Sequence, residues 1–425
     1  MSVISKEFHA SRRKLYAERM EDDSIAFVFA ENELPDKGDE LHPFTPYANF
    51  YYLTGFDQPK SILKMTKRGG RVQEVLYIRR TDERMKRWLG VVSTKESVQA
   101  ETGIERVEYL DCFRDEITLF GWPGAIKCVY VDMANWCGED HLTQAQKFAA
   151  ELRMKYPDIP IRNTFNDLAL IRQVKTDEEI ALHRKACQVT ADGVKCMLSH
   201  LRPGLYEYEA QAYFDFMLKR ANARHAFATI AASGVNACVM HYSANDRRMQ
   251  DGEMILFDLG AECGYYAADV SRTYPVNGRF TEQQKALYNV VLKGLEAAIA
   301  AARPGQPKNE LAGISKDVMA RELVRLGMIE RPEEISKFYF HGSGHYIGLY
   351  THDVGNDDAP LEENMMFTLE PGLYFDDLKL GIRIEDTLLV TRDGCEVLSA
   401  SIPKTVEEIE AFMQAGGEAA ACDLP

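Results

Sequence analysis

Five side chains in the second half of this sequence have the types and spacing to hold metal: Asp258, Asp269, His345, Glu370 and Glu385. The stretch from Phe257 to Pro275, FDLGAECGYYAADVSRTYP, reads as two strands joined by a tight turn at Gly264, with one aspartate in each strand. Carboxylates on facing strands among apolar neighbours are costly to bury unless a positive charge joins them. The stretch contains no lysine, and its one arginine, Arg272, lies three residues beyond Asp269, so a bound cation is the economical partner. In isolation the pair would read as solvent-facing strand aspartates, and the remaining segments decide the matter.

The stretch FHGSGHYIGLYTHDVG, Phe340 to Gly355, sets His341, His345 and His352 among Gly342, Gly344 and Gly348. No Glu follows the first His and the glycines oppose a helix, so this is not the helical H-E-x-x-H zinc arrangement. In MFTLEPGLYF, Met366 to Phe375, Glu370 is an acid inside an apolar strand halted by Pro-Gly. In GIRIEDTLLV, Gly381 to Val390, Arg383 and Glu385 share one strand face. Ile382 and Ile384 take the other face, and Asp386 falls with them, which sets it aside as a ligand. Four carboxylates carry −4 when ionised, and two divalent cations would neutralise them. Oxygen-rich coordination with a single imidazole favours Mn²⁺ and related ions over a thiolate-type zinc site. Two ions roughly 3.5–4 Å apart share a water and lower its pKa enough to give hydroxide at neutral pH, which predicts a hydrolase.

The elements that must position these groups fall into two parts. The first alternates helix and strand: a helix over Ser11–Met20, strands over Ser24–Ala30, Phe50–Phe56, Glu74–Ile78 and Lys127–Asp132, and a helical pattern over His141–Tyr156. This predicts an α/β domain with a mainly parallel or mixed sheet. It has no phosphate-binding glycine fingerprint, and Trp88, Trp122 and Trp136 read as packing residues. A boundary is expected between Asn163 and Thr176, giving domains 1–165 and 166–425. At Thr176 a capping box, T-D-E-E, opens a helix to about His200, stopped at Leu201–Gly204 and followed by a helix from about Glu207 to Asn222. The same order recurs: T-E-Q-Q at Thr281, a helix to about Ala302, a stop at Arg303–Gly305, and a helix from about Asn309 to Leu326. The caps are 105 residues apart (281 − 176) and the stops 101 apart (303 − 202), which predicts a duplicated helix–helix–strand unit. A cleft between the two halves is the expected place for the site.

Composition bounds the partners. A chain of 425 residues, 46% hydrophobic and 27% charged, is ordinary for a soluble globular protein. Its net charge of −15 argues against nucleic acid or an anionic membrane surface as partner. No apolar run approaches a membrane span, and MSVISKEFHASRRKLY has no apolar secretory core. Nine scattered cysteines without a C-x-x-C pair read as reduced thiols, mostly core filler, in a cytoplasmic protein.

The ligand series, with H-G-S-G-H, H-D-V-G, L-E-P-G-L-Y and I-R-I-E-D after the two aspartates, resembles the pita-bread metallopeptidases, and within them the aminopeptidase P and prolidase branch. RRKLYAERM, AFVFA and NFYYLTGF resemble that branch's N-terminal domain, so the resemblance covers nearly the whole chain. It implies a creatinase-like N-terminal α/β domain followed by an α+β pita-bread domain with duplicated halves. It implies that Asp258, Asp269, His345, Glu370 and Glu385 ligate two divalent ions, usually Mn²⁺, with Co²⁺ or Zn²⁺ as alternatives. A hydroxide bridging them would attack the carbonyl before proline, and Glu370 would accept its proton. His241 and His352 would hold the substrate and the tetrahedral intermediate, while His341 and Arg383 would support the site at its edge. The implied substrates are peptides with proline second, and the implied assembly is a homodimer or homotetramer. A prolidase cleaving Xaa-Pro dipeptides is the alternative activity. Some pita-bread proteins that have lost ligands only bind partners, a reading that five intact ligands argue against. A serine esterase is disfavoured, because Gly342–Gly344 lacks the G-x-S-x-G spacing.

Overall fold

Short apolar strands build the first part of the chain: β1 Ser24–Phe29, β2 Ile62–Arg68, β3 Arg71–Ile78, β4 Val107–Tyr109, β5 Cys128–Val131 and β6 Ile161–Asn163. They form one sheet in the order β4-β3-β2-β1-β5-β6. Because β1 runs antiparallel to β2 and parallel to β5, the sheet is mixed. Every residue of β1 is buried. Phe27 packs edge-on against Phe113 and Phe148, with ring centroids 5.8 and 4.9 Å away. The computed structural model describes residues 4–90, 93–114, 126–133 and 142–415, so Trp122, Trp136 and His141 lie outside the described residues.

Two expectations fail here. The run FYYLTGF, expected as a strand over Phe50–Phe56, is instead the helix Ala48–Thr54. All of its residues are buried, so the run carries neither helical nor strand periodicity and its aromatic content misleads. Gly55, at φ +67°, ends this helix against His9, whose Nε2 would lie 2.5 Å from a Cβ at that position. Trp88 does not pack: it is 79% exposed. The unit Met1–Arg172 closes with the helix Phe165–Gln173, where Arg172 donates to Asn49 Oδ1 at 2.7 Å and the Tyr52 hydroxyl donates to the Ile171 carbonyl at 3.1 Å.

The second unit, Gln173–Pro425, shows the duplication in its backbone. Capping boxes form at Thr176 and Thr281 and head the helices Asp177–His200 and Glu282–Ala301. The stops that follow hold Gly204 at φ +93° and Gly305 at φ +90°. Their N–H groups donate to the Met249 and Leu361 carbonyls, both at 2.9 Å. The helices Glu207–Arg220 and Lys308–Arg325 come next. The strands are β7 Arg224–His225, β8 Ile230–Ser233, β9 Met254–Leu259, β10 Ala261–Cys263, β11 Tyr266–Ala267, β12 Val270–Pro275, β13 Met366–Leu369, β14 Gly372–Phe375, β15 Leu380–Arg383, β16 Asp386–Val390 and β17 Cys395–Val397. Antiparallel sheets β12-β9-β8 and β13-β16-β17 come one from each half, joined by β11-β10-β7 and the pair β14-β15. The core between helices and sheets includes Phe214, Phe257, Tyr288, Phe367 and Leu388.

The expected hairpin over Phe257–Pro275 is bent into two pairings. β9 pairs with β12, and β10 pairs with β11 around Gly264 and Tyr265, both at positive φ. Gly260 marks the bend, where a Cβ would lie 1.8 Å from the Ala268 carbonyl oxygen. Cys112, Cys128, Cys187, Cys238, Cys263 and Cys395 carry free thiols. Cys196 departs from the expected reduced state, being disulfide-bonded. Spacing along a sequence does not reveal which distant segments meet. No helix among the described residues is long and apolar enough to cross a membrane.

The matched stops make a prediction. A Cβ at Gly305 would meet nothing within 4 Å, and one at Gly204 only Arg248 Nη2 at 3.6 Å, so alanine at either site meets backbone strain rather than a clash. Gly204→Ala and Gly305→Ala should each lower stability by about 1–3 kcal/mol, and by similar amounts. Urea unfolding of both variants checks this, and an unchanged midpoint in either would contradict it.

Candidate metal centre

Register brings the acids together. Asp258 in β9 stands opposite Ser271 of β12, and Asp269 immediately precedes β12. In the other half Leu369 of β13 pairs with Asp386 of β16, so Glu370 lies just past one strand and Glu385 just before the other. The Glu385 N–H donates to the Ser271 carbonyl at 2.9 Å, which stitches the two halves at the site. His345 is held against β13: its N–H donates to Thr368 Oγ1 at 3.2 Å, and its carbonyl accepts from the Thr368 N–H at 2.8 Å. Such close contact needs glycine at 344, where φ is +147° and a Cβ would lie 1.9 Å from the Thr368 carbonyl oxygen.

Asp269, His345 and Glu385 each offer a ligand atom, and these atoms lie within 4.8 Å of one another. His345 Nδ1 bonds the Tyr346 carbonyl at 3.1 Å, which assigns the proton to that nitrogen. Nε2 then turns its lone pair towards Asp269 Oδ2 at 3.3 Å and Glu385 Oε1 at 3.8 Å. Asp258 Oδ1, Asp269 Oδ1 and Glu385 Oε1 are buried without a hydrogen-bond partner. Orphaned carboxylate oxygens are costly, and a divalent cation is the group that would satisfy several at once. The donor set therefore fits a metal ion. Burial, then the neighbouring carboxylates, pushes Asp269 and Glu385 well above the usual carboxylate range. Burial also raises Glu370, against the pull of Arg383, to about 7. Burial lowers His345 to about 4.

Arg383 organises the edge. It pairs with Asp258 Oδ2 at 2.5 Å and donates through Nε to Ser271 Oγ at 2.9 Å. The Ser271 hydroxyl in turn donates to Glu385 Oε2 at 2.9 Å. Arg383 Nη1 also donates to the Tyr374 hydroxyl at 3.1 Å, and that hydroxyl donates to His341 Nε2 at 2.9 Å. Burial lowers His341 to about 4, consistent with a neutral acceptor. His352 is exposed and sits edge-on to His345, with ring centroids 4.3 Å apart. His241 is exposed on the loop before β9, and among the described residues no hydrogen bond or ring contact ties it to the cluster. Asp386 does turn away from the acids. It accepts from Arg272 at 2.6 Å, Lys404 at 2.7 Å and Ser399 at 2.7 Å. Burial raises its pKa, but Arg272 and Lys404 outweigh burial and hold it well below the carboxylate range.

Sequence reasoning passed over Ser271, Tyr374 and Thr387. Thr387 Oγ1 accepts from the Asp269 N–H at 3.2 Å and donates to the Asp269 carbonyl at 2.7 Å. A signal for Ser271 was present: Asp269, Ser271 and Thr273 alternate along one face of a strand. Tyr374 and Thr387 carry no such mark, since isolated hydroxyls are common in strands.

With this geometry in place, comparison with known proteins gives consistent matches. Residues 181–392 match metallopeptidase family M24, and residues 9–121 match the aminopeptidase P N-terminal domain. The Xaa-Pro aminopeptidase of Escherichia coli is 32% identical, the alignment covering 98% of this chain and 99% of that protein. The Xaa-Pro dipeptidase of Mus musculus is 28% identical over 80% of this chain and 79% of that protein. The structure of zinc-substituted E. coli aminopeptidase P in complex with product superposes with a TM-score of 0.91 at 30% identity, covering 98% of this chain and 99% of that one.

The acid cluster predicts a pH-dependent stability in metal-free protein. Asp269, Glu370 and Glu385 have folded-state pKa values above their unfolded ones, so the folded chain holds protons that the unfolded chain releases. Their stabilisation is present at low pH and is lost as pH rises through the folded values. His341 and His345, with lowered values, act in the opposite sense, but their contribution is complete above about pH 6.5. The Tm of metal-stripped protein should therefore fall between about pH 6.5 and pH 8, whereas Mn²⁺-loaded protein should lose less. Differential scanning fluorimetry of both forms is the check, and a flat profile for the stripped form would mean that the acids do not share one buried site.

Proposed function

Because the chain belongs to metallopeptidase family M24, we propose that it releases the N-terminal residue from peptides whose second residue is proline, with two divalent ions held by Asp258, Asp269, His345, Glu370 and Glu385. The observation that carries this reading is the gathering of ligand atoms of Asp269, His345 and Glu385 within 4.8 Å of one another, with one buried oxygen each of Asp258, Asp269 and Glu385 left without a hydrogen-bond partner. Four carboxylates in one site are neutralised by two divalent ions, and their oxygen-rich character favours Mn²⁺. Bound metal would supply a water acidic enough to serve as nucleophile at neutral pH.

The chain's own residues supply the rest. Glu370, just past β13, is assigned to take a proton from the attacking water and return it to the leaving nitrogen. His352, beside His345 and open to solvent, is assigned to donate to the carbonyl oxygen as negative charge develops there. His341, Tyr374, Arg383 and Ser271 form the hydrogen-bonded chain that keeps Asp258 and Glu385 oriented. The amide before proline is tertiary and proline has no N–H to donate. Recognition must rely on the free α-amine, for which Asp258 is the acceptor, and on enclosure of the ring. His241, on its exposed loop, is assigned to holding the peptide. All these groups belong to the expected domain 166–425, with 1–165 as the N-terminal domain.

Aminopeptidase activity is preferred to dipeptidase activity because the E. coli aminopeptidase aligns over 98% of the chain and the dipeptidase over 80%. Assembly as a homodimer or homotetramer is part of the same reading and rests on the likeness alone.

Two outcomes are expected. Asp269→Ala and Glu370→Ala should each abolish turnover and lower the metal content, and near wild-type turnover in either would overturn the ligand set. His352→Ala should lower kcat by about 10²–10³ with a smaller change in KM and full metal content. Kinetics on matched Xaa-Pro and Xaa-Ala peptides, with metal analysis, test both. Equal wild-type rates on the two peptides would remove the proline reading.

A further inference from the structure

Behind His352 the second unit buries an ion pair that the chemistry above does not use. Lys175 Nζ lies 3.6 Å from Asp353 Oδ2, and the side chains are 2% and 1% exposed. Burying two charges is costly, and an apolar pair of similar volume would commonly be at least as stable, so stability alone is a weak reason to have it.

The surrounding geometry supplies a reason. The Lys175 N–H donates to the Asn364 carbonyl at 2.9 Å, just ahead of β13. The Asp353 N–H donates to the Tyr346 carbonyl at 2.9 Å, next to His345. The pair fills the space of a missing side chain at Gly348, where a Cβ would lie 1.9 Å from Asp353 Oδ2 and 3.0 Å from Lys175 Nζ. The Gly348 carbonyl accepts from the Ala267 N–H at 3.0 Å, and His183 Nδ1 bonds the Ala267 carbonyl at 2.8 Å. Ala267 is two residues ahead of Asp269. The segment from Gly348 to Asp353 is thus fastened at both ends beside the two ligand-bearing stretches. Within it Asp353 points inward, while the preceding residue, His352, is exposed and lies edge-on to His345.

We infer that Lys175 and Asp353 are positioning residues for His352: the buried charge pair fixes the turn whose other side aims the imidazole at the reacting carbonyl. The inference rests on the donor role given to His352 in the proposed function. It assigns the pair no contact with substrate or metal.

The test is a kinetic cycle on one Xaa-Pro peptide with the Mn²⁺-loaded full chain, with metal content measured for every variant. Lys175→Met together with Asp353→Asn removes both charges of the pair, and thermal unfolding of the variant shows whether the nearby buried Glu179, which also loses the influence of Lys175, tolerates the change. This paired variant should keep its metal and lose about tenfold or more in kcat, with KM nearly unchanged. Added to His352→Ala it should cause almost no further loss, because both act through the same imidazole. Wild-type kcat in the paired variant, loss of its metal, or losses that multiply with His352→Ala would each overturn the inference. A His352→Ala enzyme with wild-type kcat would overturn the donor role itself, and that result is read before the pair is altered. If the paired variant does not fold, Asp353→Glu decides: it keeps the charge but adds a methylene against Gly348, and wild-type kcat there would also refute the positioning role.

Discussion

Carboxylate oxygens that have lost water without gaining a hydrogen-bond donor set the terms for the second unit. Asp269 and Glu385 are nearly inaccessible, and each keeps one oxygen without a donor. The folded chain tolerates them by protonation or by a cation, and at neutral pH a divalent ion neutralises several acids at once. The elements around the acids then read as means of bringing them to one place. The hairpin bends at Gly260, Gly344 lets the His345 segment lie on β13, and the Glu385 N–H crosses to Ser271.

Strand register separates the buried charges into two networks. Ser271 and Arg272 are neighbours in β12, yet Ser271 serves Glu385 and Arg383 at the site, while Arg272 reaches Asp386 behind it. Glu385 and Asp386 divide in the same way: one turns to the acids, the other to Arg272, Lys404 and Ser399. Side chains on a strand alternate between faces, so a slip of one residue would exchange the metal-facing and core-facing groups of both segments. The ion pairs behind the site help to specify that register. Arg272 also donates to the carbonyls of Ser271 and Glu385, binding the two ligand-bearing segments directly.

The duplicated halves are alike in backbone and unlike in chemistry. Both have a capped helix, a stop with glycine near φ +90°, a second helix and a three-stranded sheet. The first supplies two aspartates. The second supplies two glutamates and the only imidazole in the close group of possible ligands among the described residues. The glycine-rich segment that brings His345 also carries His341 and His352, so the second half provides most of the groups assigned to catalysis.

Local chemistry in the sequence determined the capped helices, their stops, the segments that carry the acids and the separation of Glu385 from Asp386, although of the four acids only Asp258 lies within a strand. Caps, Pro-Gly stops and strand alternation act over a few residues, and each is written in adjacent letters. The resemblance added a family and a ligand set. Tertiary structure decided what depends on distant partners. It made FYYLTGF a helix, because burial on every side erased its periodicity. It left Trp88 in solvent and His241 outside the bonded cluster. It recruited Ser271, Tyr374 and Thr387 as orienting groups and joined Lys175 to Asp353 across 178 positions (353 − 175). Those outcomes follow from which surfaces meet when the chain closes on itself, and no short window of sequence contains both partners.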